Sequence, residues 1–242
     1  VVSIQDLQSV ELKNVNIPKV SPVVAVYPAS FTDQTGQRKS NSEFALFSTA
    51  ITQQPSSLLI RALKHAANGD FFVVVERVGL DNLTKERQLI RSAREQSASE
   101  EDKKKALRPL LFAGVLIEGA VISYETNLTS GGAGARWLGV SSSVMYREDS
   151  VTLSLRMVSV ATGEILIEVL TEKTIFSYGK SDDIFRFIEA NTELVEIEMG
   201  NARNESGTIA LMRAIETAVL ELIQIGYNKS YWVLQPKNEG EE

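Results

Sequence analysis

Strict alternation of apolar and polar residues marks the segment "SVTLSLRMVSV" (150–160). Val151, Leu153, Leu155 and Met157 alternate with serine, threonine and arginine, a pattern typical of a strand with one buried face. The turn signal "ATGE" (161–164) follows, and "ILIEVLTEKTIFSY" (165–178) is predicted to return as the antiparallel partner. Upstream, "FAGVLIEGAVISYET" (112–126) is apolar on both faces, which predicts a central strand.

Helical periodicity appears in three other segments. Pro55 is a favourable first residue for a helix with one apolar face (Leu58, Leu59, Ala62, Leu63, Ala66), which Asn68-Gly69 ends. The segment "LDNLTKERQLIRSAREQ" (80–96) predicts a charged amphipathic helix with Leu80, Leu83, Ile90 and Ala93 on one side. The last, "SGTIALMRAIETAVLELIQIGY" (206–227), carries one apolar stripe (Ile209, Met212, Ile215, Val219, Leu222, Ile223).

Strands and helices intermingle, so the predicted class is α+β or α/β. Buried strands are expected at "VVAVYPASF" (23–31) and "FFVVVER" (71–77), and the first 20 residues are expected to form an extended arm. Hydrophobic residues make up 43% and charged residues 23%, which predicts a folded chain. No apolar run approaches the roughly 18 residues of a membrane helix, and no signal peptide is recognisable, so a mature or trimmed chain is expected.

Composition also narrows the chemistry. The net charge of -6 argues against broad binding of a phosphate backbone. The chain has no cysteine, which excludes disulfides and thiolate nucleophiles. His65 is the one histidine, and it shares helical spacing with Arg61 and Asn68 on the side away from the leucines, where a solvated role is expected. No catalytic constellation can be built around it, so neither enzymatic activity nor a cofactor or metal site is expected.

The glycine-rich stretch "LTSGGAGARWLGV" (128–140) suggests a phosphate loop or a strand. Gly132 and Gly134 are followed next by Gly139, two positions too late for a dinucleotide fingerprint, and no lysine follows as in a P-loop. As a strand, Ala133, Ala135 and Trp137 point one way while Gly132, Gly134 and Arg136 point the other. The strand interpretation is therefore favoured.

A second alternating region covers residues 180–206. Phe185 and Phe187 alternate with Arg186 and the neighbouring isoleucines, "EANTE" forms a turn, and Val195, Ile197 and Met199 then alternate with Glu196 and Glu198. Each arm has roughly the 9–11 residues with which a tilted strand crosses a bilayer. An ordinary soluble hairpin with one buried face gives the same alternation and is the commoner structure, so the pattern alone does not indicate a membrane.

Longer stretches of the sequence bear on this choice. Those with a counterpart in a known family follow one another in order: "FTDQTGQ" (31–37), "FSTA" (47–50), "ER" (76–77) with "GLDNLTKERQLIRSARE" (79–95), "EGAVISYETNLTSGGAGARWLGV" (118–140), "VSVATGEIL" (158–166), "TIFSY" (174–178), "FRFIE" (185–189) and "AIETAV" (214–219). On these stretches the chain resembles the CsgG family, curli secretion channels of the bacterial outer membrane, from about residue 18 to 235.

The resemblance implies an α+β fold, with a periplasmic α/β domain and two β-hairpins that each protomer contributes to an oligomeric transmembrane β-barrel. The implied division is 1–130 for the periplasmic domain with its arm, 131–149 for the first hairpin, 150–179 for periplasmic strands, 180–205 for the second hairpin, and 206–242 for the C-terminal helix and tail. Trp137, Phe185, Phe187, Val195 and Ile197 then belong to the hairpins, and the expected lumen-facing residues are Arg136, Arg186, Glu196 and Glu198, with Asp182 and Asp183.

The family pore is narrowed by a loop that corresponds here to about residues 38–50. Phe47 matches the family's phenylalanine, and Leu46 stands where the family has asparagine. The family's tyrosine has no counterpart in 38–46; Asn41 is nearest by position, and Phe44 is the candidate aromatic substitute. The N-terminal cysteine that carries the family's lipid anchor is also missing from this sequence.

The implied function is a passive outer-membrane conduit for unfolded curli-type amyloid subunits moving from the periplasm to the cell surface. The implied partners are further copies of the chain in a nonameric ring, the exported subunits, accessory curli proteins on both sides, and outer-membrane lipid, without nucleic acid. A periplasmic assembly or anchoring factor that shares the domain but forms no pore is the alternative.

Overall fold

The computed structural model describes residues 9–27, 31–33, 55–96, 99–101, 107–130, 145–179, 185–189, 199–200 and 205–235. In chain order, the described helices are α1 (Val10–Lys13), α2 (Pro55–His65), α3 (Leu80–Glu95) and α4 (Glu205–Asn228), with a short 3₁₀ helix at Ala66–Gly69. The described strands are β1 (Val23–Ala25), β2 (Phe31–Asp33), β3 (Val73–Val75), β4 (Val115–Ser130), β5 (Met145–Ser159), β6 (Ile165–Gly179), β7 (Phe185–Glu189) and β8 (Met199–Gly200).

These strands form one mixed sheet in the order β3-β1-β4-β5-β6-β7-β8, with β2 also paired to β4. The three short strands β1, β2 and β3 run parallel to their neighbours, whereas every pairing from β4 to β8 is antiparallel. β4 therefore has neighbours on both sides, as its two apolar faces predicted. The predicted class, α+β, is confirmed.

The core lies between one face of the sheet and helices α2 and α4. Val151, Leu153, Leu155 and Met157 are all at most 2% exposed, so the alternation of β5 is confirmed. On α4 the buried surface is wider than the predicted stripe, because Ala210, Leu211, Ala214 and Ala218 are buried as well. Burial of each large aliphatic side chain in this core contributes about 1.5–3 kcal/mol.

The C-terminal segment is fastened across the start of the chain. The Trp232 indole donates from Nε1 to the Ile223 carbonyl at 3.1 Å and meets the rings of Phe71 and Phe72 edge-on, with centroid distances of 5.5 and 6.3 Å. Beyond it, Lys19 donates its backbone N–H to Val233 at 2.7 Å and Gln235 donates to Ile17 at 2.7 Å. Trp232 and these two backbone hydrogen bonds close one end of the core.

Several expectations for the first half of the chain were wrong in detail. Residues 10–13 form α1, with Leu12 fully buried, where an extended arm was predicted. The segment 23–31 is not one strand: β1 ends at Ala25, and Phe31 begins β2, which pairs with β4. In "FFVVVER" the deeply buried residues are Phe71 and Phe72, which precede β3, while Val73 is 37% exposed at the edge of the sheet. Short strands were misassigned because neighbouring strands, rather than local pattern, decide where they end.

The first predicted helix holds up well. It begins at Pro55, and Leu59, Ala62, Leu63 and Ala66 are buried, with Leu58 half-buried. The chain leaves the helix through left-handed backbone at Ala67, Asn68 and Gly69, as the Asn-Gly signal predicted.

Candidate functional site at the outer ends of the long strands

Strands β4, β5 and β6 extend beyond the hydrophobic core. They contain 16, 15 and 15 residues, more than the 3–10 of most strands. Among the side chains that the structure describes, the outermost buried core residues on these strands are Tyr124, Val151 and Ile175, and the next residues of β4 (Glu125, Thr126, Asn127) are exposed. Backbone pairing nevertheless continues to Ser130 opposite Met145 and to Met145 opposite Gly179. The sheet thus projects as a paired extension past the last layer of the core.

A buried polar contact lies where the core ends and this extension begins. The Tyr124 hydroxyl donates to a carboxylate oxygen of Asp149, and the two residues are 7% and 0% exposed. A buried carboxylate is costly unless it accepts hydrogen bonds, so Tyr124 stabilises Asp149 at this position. The contact ties β4 to β5 at the level where apolar packing stops.

On the opposite face of the sheet, a second polar contact lies one residue further along β5, at Ser150. The hydroxyls of Ser150 and Thr174 are 2.8 Å apart and join β5 to β6. Just before this level, a bulge between Val121 and Ser123 adds one residue to β4. Because bulges bend a strand and increase its twist, we expect β4 to bend just before the extension begins.

The sequence contained a signal for this junction that its interpretation missed. Asp149 occupies the same parity as Val151, Leu153, Leu155 and Met157, so an acidic residue continues an otherwise apolar series. An acid at such a position predicts a buried carboxylate with a specific donor. The aromatic hydroxyl that supplies this donor comes from a strand distant in sequence.

The two predicted hairpin regions are only partly described by the structure. Trp137 and Arg136 fall between β4 and β5, in 131–144, outside the described residues. In the second region, β7 pairs antiparallel with both β6 and β8, with Phe187 opposite Ser177, Arg186 opposite Tyr178 and Phe185 opposite Gly179. Asp182, Asp183, Val195, Glu196, Ile197 and Glu198 lie outside the described ranges. The roles assigned to all of these side chains stay predictions.

The predicted constriction loop also lies outside the described part of the chain, but both of its flanks are positioned. Residues 34–54, which include Asn41, Phe44, Leu46 and Phe47, run from the end of β2 to the start of α2. Asp33 is in register with Val121 of β4, and Pro55 is buried. The loop therefore starts at the end of β2, beside the central strand β4, and ends at a helix that is packed in the core.

An ion pair fixes this helix to α4. Arg61 Nη1 lies 3.7 Å from a carboxylate oxygen of Glu216 and 3.8 Å from the Met212 sulfur, and the Glu216 side chain is 1% exposed. Arg61 was expected to share a solvated face with His65; His65 is exposed, but Arg61 instead faces α4. Glu216 interrupts the apolar spacing of Met212, Val219 and Ile223, which is a second signal of a buried acid that could have been read from the sequence.

A metal-binding cluster is another kind of site that the described part of the chain could hold. Within it, no three histidine or acidic side chains are grouped so that they could hold a metal ion. Among the described helices, none combines the length and apolar character that crossing a membrane would require.

These features define a mixed α+β domain whose central sheet is extended outward by long paired strands. A family model described as "Curli production assembly/transport component CsgG" matches residues 5–242. The chain belongs to the CsgG family, as its matching stretches predicted.

Relatives with that description resemble the chain over nearly its full length. The proteins of Citrobacter koseri and Escherichia coli are each 40% identical to it over 229 residues, which covers 95% of this chain and 80% of theirs. The Salmonella typhimurium protein is 40% identical over 227 residues, covering 94% and 79%.

Among solved structures, a PelC dodecamer from Paraburkholderia phytofirmans is 13% identical, with a TM-score of 0.34 over 86% of this chain and 93% of that chain. A hypothetical protein from Chlamydia trachomatis is 14% identical, with a TM-score of 0.41 over 86% and 98%. Similarity at this level carries no information about assembly or function.

Proposed function

We propose that this protein is one subunit of an outer-membrane secretion channel that passes unfolded curli-type amyloid subunits from the periplasm to the cell surface. Membership of a family of curli assembly and transport components supports a role in curli secretion. The observation that carries the channel proposal is the extension of β4, β5 and β6 beyond the core, because paired strands that continue past their domain can enter a second environment.

In this proposal the two hairpins, 131–149 and 180–205, continue the sheet into the membrane. An open strand edge exposes unpaired N–H and C=O groups, which the bilayer core does not tolerate. Hairpins from one protomer would therefore join those of neighbouring copies, and a closed ring removes every edge. Nine copies is the number proposed, from the family.

The proposed conduit is passive and non-enzymatic. The loop at 38–50 from each copy lines a constriction, with Phe47 forming a collar together with Leu46, Phe44 and Asn41. Such a collar contacts a passing unfolded chain weakly without holding it at one site. The flanks of the loop support this assignment, because pairing of β2 with β4 holds one end of the loop and the Arg61–Glu216 contact holds the helix at its other end.

The remaining partners follow from the same proposal. Arg136, Arg186, Glu196 and Glu198 face the hydrated lumen, whereas Trp137, Phe185, Phe187, Val195 and Ile197 belong to the hairpins in outer-membrane lipid. Accessory curli proteins bind at the periplasmic and surface mouths, and no cofactor takes part.

Planar-bilayer recording of detergent-extracted full-length protein tests the proposal. A channel gives discrete conductance steps, and electron micrographs of the same sample show rings. A periplasmic assembly or anchoring factor that lacks a pore gives neither steps nor a ring with an open lumen, and that result would overturn the proposal.

A further inference from the structure

Helix α3 is long but poorly covered. Of its 16 residues none is buried, and Leu89 is 65% exposed. Helices in proteins owe most of their stability to tertiary packing of one face. Two arginine side chains bridge from this region to the segment before β4: Arg87 donates to the Arg108 carbonyl and Arg77 to the Leu111 carbonyl, each at 2.8 Å. The helix thus exposes surface that the described part of its own subunit does not cover.

One side of α3 forms a basic groove with apolar walls. Thr84, Arg87, Gln88 and Arg91, spaced three and four residues apart, border a groove of about 360 Å³ together with Pro109, Leu110 and Phe112. Phe112 is 87% exposed, and Arg87 and Arg91 lie one helical turn apart. We call this surface the arginine groove.

A surface of opposite charge lies on the face of β4, β5 and β6 that points away from the core. Register places Glu118, Arg156 and Glu168 side by side, and Arg156 lies 3.2 Å from Glu118. The same face carries Glu125, Glu148 and Glu172, so on the described parts of these three strands it holds five carboxylates and one cation, Arg156. Leu170, between Glu168 and Glu172 on this face, is 67% exposed. We call this surface the acidic sheet face.

We infer that the arginine groove of one copy binds the acidic sheet face of the next copy. Phe112 packs against Leu170, while Arg87 and Arg91 lie beside Glu168 and Glu172. Each surface then has an exposed apolar residue flanked by charges of one sign, and the two signs are opposite. An apolar centre within a charged rim is the usual anatomy of a protein interface, and opposite charges steer and orient the approach.

Charge complementarity is the reason for choosing a second copy as the partner. The chain carries a net charge of -6, so two generic faces of two copies repel each other, whereas these two faces attract. Because the two surfaces differ, the contact is heterologous, and heterologous contacts close into rings when the rotation between copies allows. The inference rests on the proposed channel for ring closure and deepens it by naming the surfaces that join the subunits.

Phe112 and Leu170 of one copy lie at different levels along the sheet. Leu170 is in register, through Ser154, with Ala120, and Phe112 precedes Ala120 by eight residues. Phe112 lies three residues before β4 begins at Val115, and at about 3.3 Å per residue the five steps from Val115 to Ala120 separate the start of β4 from the level of Leu170 by on the order of 16 Å. We therefore expect a direct link between them to join two chains.

The cysteine-free chain makes a thiol cross-linking test unambiguous. In full-length detergent-extracted protein, the double variant Phe112→Cys/Leu170→Cys should give a ladder of linked oligomers on oxidation or with a short bismaleimide. Neither Phe112→Cys nor Leu170→Cys alone should give bands above a dimer. The absence of a ladder from particles that are rings would overturn the inference and leave the channel proposal intact.

Charge exchange gives an independent readout that does not depend on disulfide geometry. Arg87→Glu/Arg91→Glu should lower the association constant at least about tenfold, and Glu168→Arg/Glu172→Arg should do the same. Combining all four should restore association to within about threefold of the wild type, which a folding defect would not do. Among single changes, Arg91→Glu should weaken assembly, whereas Lys85→Glu, the same charge change on another side of α3, should leave it unchanged.

The outcomes separate the two proposals. A cross-linked ladder without bilayer conductance would support this interface and overturn the channel proposal. Conductance and rings without a ladder would support the channel proposal and overturn this interface. Failure of the charge exchange to restore association also overturns the interface. Monomeric wild-type protein at every concentration would overturn both.

Discussion

Gly226 lies directly beneath the indole ring of Trp232: a Cβ added at Gly226 would come within 2.0 Å of the ring. The backbone of Gly226 and the indole ring of Trp232 therefore approach each other more closely than any residue with a Cβ at position 226 would permit. This contact lets α4 continue under Trp232, whose ring closes the core against Phe71 and Phe72.

Gly226→Ala should consequently displace Trp232 and lower the free energy of unfolding by about 1–3 kcal/mol, the usual cost of overpacking. Thermal unfolding followed by circular dichroism, at one protein and detergent concentration, measures the loss. Gly114→Ala is the matched control, because a Cβ there meets the Val23 carbonyl oxygen at an ordinary 3.9 Å. Equal stability of the two variants would contradict the tight contact.

Tyr124→Phe should destabilise the junction at the outer end of the core. It removes the hydroxyl that donates to the fully buried Asp149, and loss of a donor to a buried charged group costs about 1–3 kcal/mol. Denaturant unfolding of Tyr124→Phe, Asp149→Val and the double variant gives the coupling energy. The double variant should cost less than the sum of the two single ones, and strict additivity would show that the contact contributes nothing.

The surface-side hydroxyl pair at the same junction serves as a comparison. Ser150→Ala removes one partner of a part-buried contact between neutral groups, so its cost should stay near about 0.5–1.5 kcal/mol. A larger loss than that of Tyr124→Phe would place the stabilising contact on the other face of the sheet.

Arg61→Ala should be more disruptive than loss of a surface arginine, since the Arg61 side chain is only 21% exposed. It removes a cation beside the buried Glu216 carboxylate, and breaking a buried pair from one side costs up to about 3–5 kcal/mol. Glu216→Gln in the Arg61→Ala background should recover part of that loss, since the neutral amide is cheaper to bury. No recovery in the unfolding free energy would mean that Arg61 acts through packing alone.

Phe47→Ala tests the proposed constriction. Removal of the aromatic collar should raise single-channel conductance, by less than an order of magnitude, because the narrowest part of the path widens while the rest of the channel is unchanged. Tyr227→Ala is the aromatic control, since Tyr227 is exposed near the C-terminal end of α4, away from the loop flanks. Unchanged conductance and unchanged substrate passage in Phe47→Ala would show that the collar is elsewhere.

Elements with a strong and self-consistent pattern could be predicted from the sequence. The alternation of β5 and the apolar face of α2 correspond to faces that do pack against the core, so local pattern and tertiary environment agree. α3 has a helical pattern of the same kind, yet none of its residues is buried. A periodic pattern predicts an apolar face, but it does not say which surface covers that face.

The limits of short strands and the partners of buried charged residues could not be predicted from local sequence patterns. β1 and β2 have three residues each, and their limits are set by pairing with β4 about 90 residues away in the chain. The Tyr124–Asp149 and Arg61–Glu216 contacts join residues that are 25 and 155 positions apart in the chain. The positions of Asp149 and Glu216 within apolar series indicate that both acids are buried, but they do not identify the partner of either one. The candidate site residues in the hairpins and the loop were assigned by family resemblance, and they remain predictions.

The extra residue in the β4 bulge has a consequence for protein engineering. Side chains on a strand alternate with a period of two, so the residue inserted between Val121 and Ser123 exchanges the two faces of β4 for everything that follows. Chimaeras that graft a relative's strand extension onto this domain must therefore conserve the odd-even count across the splice. A graft that omits the bulge would turn the extension inside out while leaving its sequence intact.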